Sequence, residues 1–150
     1  MDGKILALIV AAVSGMAMAL QGTLNSALGK VIGLWETTLV VHFIGAGIVA
    51  VLIFGFKGGA SDLDKWLQAP WYTYLGAVLS IVIIYAVARS MPVVGVAPAT
   101  TAIILGQVLT ASIIDHLGLF GVSRIPFSWH RIAGTLLMAG GAWLLLFKGK

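Results

Sequence analysis

Five apolar stretches, each close to or above the roughly 20 residues that carry a helix across a bilayer core, fill nearly all of a 150-residue chain. They constrain the fold more than any motif does. With 60% of residues hydrophobic and 9% charged, the chain has too little charge to cover the surface of a soluble domain of this size. The runs are continuously apolar, without the polar alternation of a barrel strand. Backbone amides in lipid must be satisfied within the segment, which a helix does. The sequence therefore predicts an all-α membrane protein with one integral membrane domain over residues 1–150.

The punctuation sets the expected spans. A first helix over 5–28 closes at Gly29-Lys30, and Trp35-Glu36-Thr37 opens a second over 37–56. Lys57 through Gln68 is the one extended polar loop, carrying Asp62, Asp64 and Lys65. Pro70 suits a helix start, and Trp71, Tyr72 and Tyr74 suit an interfacial aromatic belt at the mouth of a third helix over 71–88. Ser90-Met91-Pro92 reads as a tight connection, which makes helices three and four an antiparallel hairpin. A fourth helix over 93–114, a Gly- and Pro-containing loop from Asp115 to Ser128, and a fifth helix over 129–147 complete the chain. Lys4, the run Ile5 to Val13 and Ala17-Met18-Ala19 imitate a cleavable signal. The Gly/Ala-rich apolar pattern continues past Ala19, which predicts a retained helix.

Five crossings put the termini on opposite sides. Lys4, Lys57, Lys65, Arg124 and Arg131 then share one face, and Lys30, Arg89, Lys148 and Lys150 the other. Five against four gives almost no bias under the positive-inside rule. Two readings follow: one or two residues still fix a single orientation, or the chain inserts both ways. The second predicts an antiparallel homodimer with a twofold axis in the membrane plane, ten helices arranged as the inverted repeat of many secondary transporters. Small residues recur at spacings of three and four along Gly15, Ala19, Gly22, Ser26 and Gly29, and again along Gly95, Ala99, Ala102, Gly106 and Thr110. Such stripes let backbones approach in lipid, within a subunit or between subunits.

Polar side chains at membrane depth are costly and tend to face cavities or partners. Gln21 and Asn25, four apart, share a face of the first helix. Thr100 and Gln107 share a face of the fourth, and His42 and Tyr85 lie within the second and third. Together they are the candidate substrate-binding residues, although each alone also fits a plain interhelical hydrogen bond. Glu36 has two readings. It is a proton or cation coupling group, since desolvation favours the neutral form of a buried carboxyl, or it is a first-turn carboxylate meeting the helix dipole. Pro98, read as lying inside the fourth helix, would free the Val94 carbonyl. Asp115-His116 reads as a helix-end network that folds the following loop, because no third ligand stands at metal-site spacing.

The net charge of +4 is scattered singly between apolar spans and makes no nucleic-acid patch. No cysteine is present, which removes disulfides and thiolate metal sites. No nucleotide loop and no activated nucleophile stand out, so an enzyme, a cofactor and a metal are not expected; Ser80 and Thr135 read as isolated hydroxyls. The expected partners are membrane lipid, a small-molecule substrate and a second copy of the chain. A narrow channel and a non-transporting subunit that assembles with another chain are the other classes.

Gln21-Gly-Thr-Leu-Asn25-Ser-Ala-Leu-Gly29, then Gly106-Gln107, then Asp115-His116-Leu-Gly-Leu-Phe-Gly121 resemble the YdcZ-type five-helix family of the drug/metabolite transporter superfamily. The resemblance runs the length of the chain in the same order. It implies a multi-pass protein of the bacterial inner membrane, related to ten-helix carriers with inverted halves. The architecture also resembles the four-helix small multidrug resistance transporters, antiparallel dimers built around a glutamate in their first helix. The first membrane helix here has no carboxylate, so that exchange chemistry does not carry over.

Overall fold

The computed structural model describes residues 2–57 and 63–146, and the described residues that take regular structure are helical. Five α-helices run Gly3–Ile32 (α1), Leu34–Val51 (α2), Leu75–Val94 (α3), Val96–Leu117 (α4) and Trp129–Leu146 (α5). A π turn over Leu52–Phe56 extends α2, closed by the Lys57 amide donating to the Leu52 carbonyl at 3.2 Å. A 3-10 turn over Trp71–Tyr74 leads into α3. Asp62, Lys148 and Lys150 lie outside the described residues, as does residue 147, the expected end of α5. Among the described residues, four helices are long and apolar enough to cross a membrane: Gly3–Ile32, Leu34–Phe56, Trp71–Val94 and Val96–Leu117. The fifth expected span begins with His130 and Arg131 in the first turn of an 18-residue helix and is not among them.

The helix joints differ from those the sequence predicts, and one physical reason covers the differences. α1 passes Gly29-Lys30 and ends at Ile32, and α2 begins at Leu34 rather than residue 37. Ser90-Met91-Pro92 is not a connection but part of α3, which continues to Val94. The chain leaves the helix at Gly33 (φ 95°, ψ 159°) and Gly95 (φ 95°, ψ 160°), a backbone region open essentially to glycine alone. Each break takes one residue. Pro92 merely deletes the amide that would bond the Ala88 carbonyl, one turn before the helix would stop anyway. Pro98 falls in the first turn of α4, where an amide has no helical acceptor. It therefore lies at the start of α4 rather than inside it, and removes no hydrogen bond from that helix. α4 runs past residue 114 to Leu117 and stops on Gly118 in the left-handed conformation, whose amide donates to Ile114 O at 2.8 Å.

The helices sort into two compact units, Met1–Val93 and Val94–Lys150. In the first, Gly29 of α1 faces Leu34 and Thr37 of α2. Gly22 of α1 meets Val87 and Met91 of α3 so closely that a Cβ there would lie 2.6 Å from both side chains. Both are positions of the small-residue stripe, and close backbone approach is what such residues permit in lipid. At about 1.5 Å per residue, the 30 residues of α1 extend about 45 Å, longer than the roughly 30 Å hydrocarbon core. In the second unit, α4 and α5 run antiparallel. Asp115 faces Arg131, Ser112 and Ala111 face Thr135 and Gly134, and Val108 faces Met138 across one hollow of about 330 Å³.

Burial is inverted relative to a soluble protein. Among the described residues, the buried polar ones are Asn25, Ser26, Thr37 and Thr38, the buried hydrophobic ones are Ala88, Met91, Ala99 and Ala142, and large apolar side chains lie exposed along every helix. That is the arrangement of a protein whose solvent is hydrocarbon.

Candidate functional site

In the first unit, two contacts join α2 and α3. Trp35 of α2 and Tyr85 of α3 stack with ring centroids 4.6 Å apart and planes tilted by 35°; within α3, Arg89 Nη1 donates to the same Tyr85 hydroxyl at 3.3 Å. Seven residues beyond Trp35, on the same face of α2, His42 lies 2.6 Å from Ser80 Oγ through Nε2 and 2.7 Å from the Thr38 carbonyl through Nδ1. A carbonyl only accepts, so Nδ1 carries the hydrogen and Nε2 presents its lone pair to the serine hydroxyl. The pairs 35–85 and 42–80 advance in opposite directions along the chain, which makes α2 and α3 antiparallel.

α1 contributes Gln21 and Asn25. Gln21 is exposed, whereas Asn25 is 6% exposed. Asn25 lies three residues after Gly22, which meets α3, and four before Gly29, which meets α2. Its amide makes no hydrogen bond among the described residues. Thr37 and Thr38 bond back to their own helix, donating to Gly33 O at 2.7 Å and Leu34 O at 2.9 Å, so their oxygens keep lone pairs and have no proton left to offer. The buried threonines thus offer only acceptors, and the Asn25 amide supplies the free donors.

Glu36 is exposed in the first turn of α2. Its carboxylate folds over Gly33, where a Cβ would run into Oε2, the position in which a carboxylate meets the positive end of the helix dipole. Thr100 and Gln107 belong to the second unit. Gln107 is exposed, and the Thr100 hydroxyl is buried without a hydrogen-bond partner among the described residues.

Asp115 and His116 end α4 in a closely bonded corner. The Ile125 amide donates to Asp115 O at 2.8 Å, Arg124 Nε to His116 O at 2.9 Å, and the Phe127 amide to His116 Nδ1 at 3.2 Å. The His116 and Phe127 rings lie 4.6 Å apart, and Arg131 reaches Asp115 Oδ2 at 3.1 Å. With the two side chains 38% and 36% exposed, the ion pair contributes about 0.2–1 kcal/mol. A double-mutant cycle of Arg131→Ala and Asp115→Ala, read by thermal unfolding, is expected to give a coupling energy inside that window. No group of three or more metal-ligating side chains occurs among the described residues.

The sequence reading set Ser80 aside, yet Ser80 is the cross-helix partner of His42. It also treated Arg131 only as an orienting charge. Nothing local marks either pairing, because both partners are brought together by helix packing; only Thr38, four residues before His42, could have been found from spacing.

Comparison with protein families matches residues 6–144 to the family described as "Putative inner membrane exporter, YdcZ". The chain belongs to the YdcZ family. Comparisons with curated proteins and with solved structures gave no match. Membership places this YdcZ protein in the inner membrane as a multi-pass protein and in a class associated with export, in accord with its exposed apolar helices.

Proposed function

We propose that this YdcZ chain is a five-crossing subunit of an antiparallel homodimer that exports a small organic solute by alternating access. The observation that carries the reading is the polar core of the first unit, Asn25, Ser26, Thr37 and Thr38, which is buried among helices whose exposed faces are apolar, with the Asn25 amide making no hydrogen bond among the described residues. A polar group held out of lipid without a partner costs stability, and a solute that bonds it recovers that cost. Within the first unit, Gln21, Asn25, His42 and Tyr85 are the proposed substrate-binding residues.

The fifth crossing rests on the second unit. α5 packs antiparallel along α4, an apolar spanning helix, so if α4 crosses, α5 returns. The charge in its first turn is answered by Asp115. Five crossings leave the basic residues nearly balanced between the two faces, which supports insertion in both directions. In a dimer of opposed copies, the inward- and outward-open states are related by symmetry.

The test is flux in proteoliposomes of purified protein, with a radiolabelled panel of amino acids, polyamines, nucleosides and sugars. A carrier gives saturable uptake of at least one panel member, at no more than about 10³ per second per dimer. Rates orders of magnitude higher identify a pore. No uptake, with a second chain co-purifying, identifies a non-transporting subunit.

A further inference from the structure

We infer that the proton coupled to transport is carried by His42 Nε2, with Ser80 as the hydroxyl that accommodates it, rather than by Glu36; this rests on the transport reading above. The geometry supplies the argument. Thr38 O fixes the neutral tautomer by holding the Nδ1 hydrogen at 2.7 Å, and Ser80 then donates to Nε2 at 2.6 Å. When a proton binds Nε2, the imidazolium becomes the donor and Ser80 Oγ the acceptor at the same contact. The serine hydrogen is released to another acceptor, and the Gly76 carbonyl, one helical turn back, is the group a serine in a helix ordinarily reaches. One proton is gained, no bond is left unmade, and only a hydroxyl rotates.

The site therefore takes up charge without repacking, at an α2–α3 contact that is part-buried. The titratable and charged groups on the elements of this unit are few. α3 carries Tyr85 and Arg89, five and nine residues beyond Ser80, and α2 carries Glu36, six residues before His42 and about 120° around the helix. α1 carries Lys4 and Lys30 towards its two ends. No carboxylate is bonded to His42, so its positive form has no dedicated counter-ion. A solute and a proton at this place consequently exclude or require one another through charge, which is what coupling needs. Glu36, by contrast, is exposed and folded over Gly33 in a first turn, bonded to nothing that crosses to α3.

Two measurements on the full chain test the inference. In lipid nanodiscs, imidazole ¹⁵N shifts should show His42 protonated on Nδ1 alone at high pH and gaining the Nε2 proton as the pH is lowered, with Ser80→Ala altering the Nε2 signal. His42 remaining neutral to pH 5, or an Nε2-protonated neutral tautomer, would overturn the assignment whether or not any solute moves. In proteoliposomes with the same labelled panel, a pH gradient should accelerate wild-type net flux about tenfold. His42→Gln should abolish that response, and Glu36→Gln should keep it. A gradient response that survives His42→Gln, or is lost with Glu36→Gln instead, contradicts the inference. Absence of all panel flux in the wild type, with the ¹⁵N result as expected, counts against the transport reading and not against the proton site.

Discussion

Valine at Gly33 is expected to be the most damaging single substitution in the first unit. The residue sits at φ 95°, ψ 159°, where a side chain costs about 1–3 kcal/mol in backbone strain alone. A Cβ there also meets the Glu36 carboxylate, so the helix-capping position of that side chain is lost as well. Gly95 has the same backbone angles, but its nearest neighbour to an added Cβ is Pro98 Cδ at 3.5 Å, an ordinary contact. Gly95→Ala is therefore expected to cost the strain and nothing more, and Gly33→Val to exceed it. Unfolding in detergent followed by tryptophan fluorescence compares the two; equal costs would show that the Glu36 contact is unimportant.

These two glycines also explain how much of the fold was legible. The apolar runs called for helices and for their approximate places, because length and composition alone answer the demand of lipid for satisfied backbone groups. The joints were misread because proline and interfacial aromatics looked like stronger punctuation than a lone glycine. Pro92 costs one hydrogen bond near a helix end, whereas Gly33 and Gly95 adopt angles no other residue takes readily. The candidate site was half legible. That Gln21, Asn25, His42 and Tyr85 are polar or aromatic groups at membrane depth is visible in the chain. That His42 answers Ser80, and Tyr85 answers Trp35, is created by the antiparallel packing of α2 and α3.

Asn25→Leu should separate stability from function in opposite directions. Asn25 is 6% exposed and its amide makes no hydrogen bond among the described residues, and leucine shares its branched outline. Replacing an unbonded polar group at membrane depth by an apolar one is expected to raise stability by about 1 kcal/mol, the scale of a polar contact between helices in lipid. Solute flux should fall about tenfold, equivalent to about 1.4 kcal/mol of lost binding. A residue with a purely structural role would lose stability on the same substitution and leave flux at saturating solute unchanged. Unfolding in detergent and panel uptake, on one preparation of the variant, distinguish the two.

Green fluorescent protein fluoresces on the cytoplasmic side of the inner membrane and alkaline phosphatase is active only on the other, so fusing each in turn to the C-terminus reports which way the chain faces. Opposed copies sharing one passage predict both fusions active at comparable levels, and a shift to one side when two lysines are added beside Lys4. A single active fusion in the wild-type chain would contradict the antiparallel dimer, and with it the symmetry on which the transport account is built.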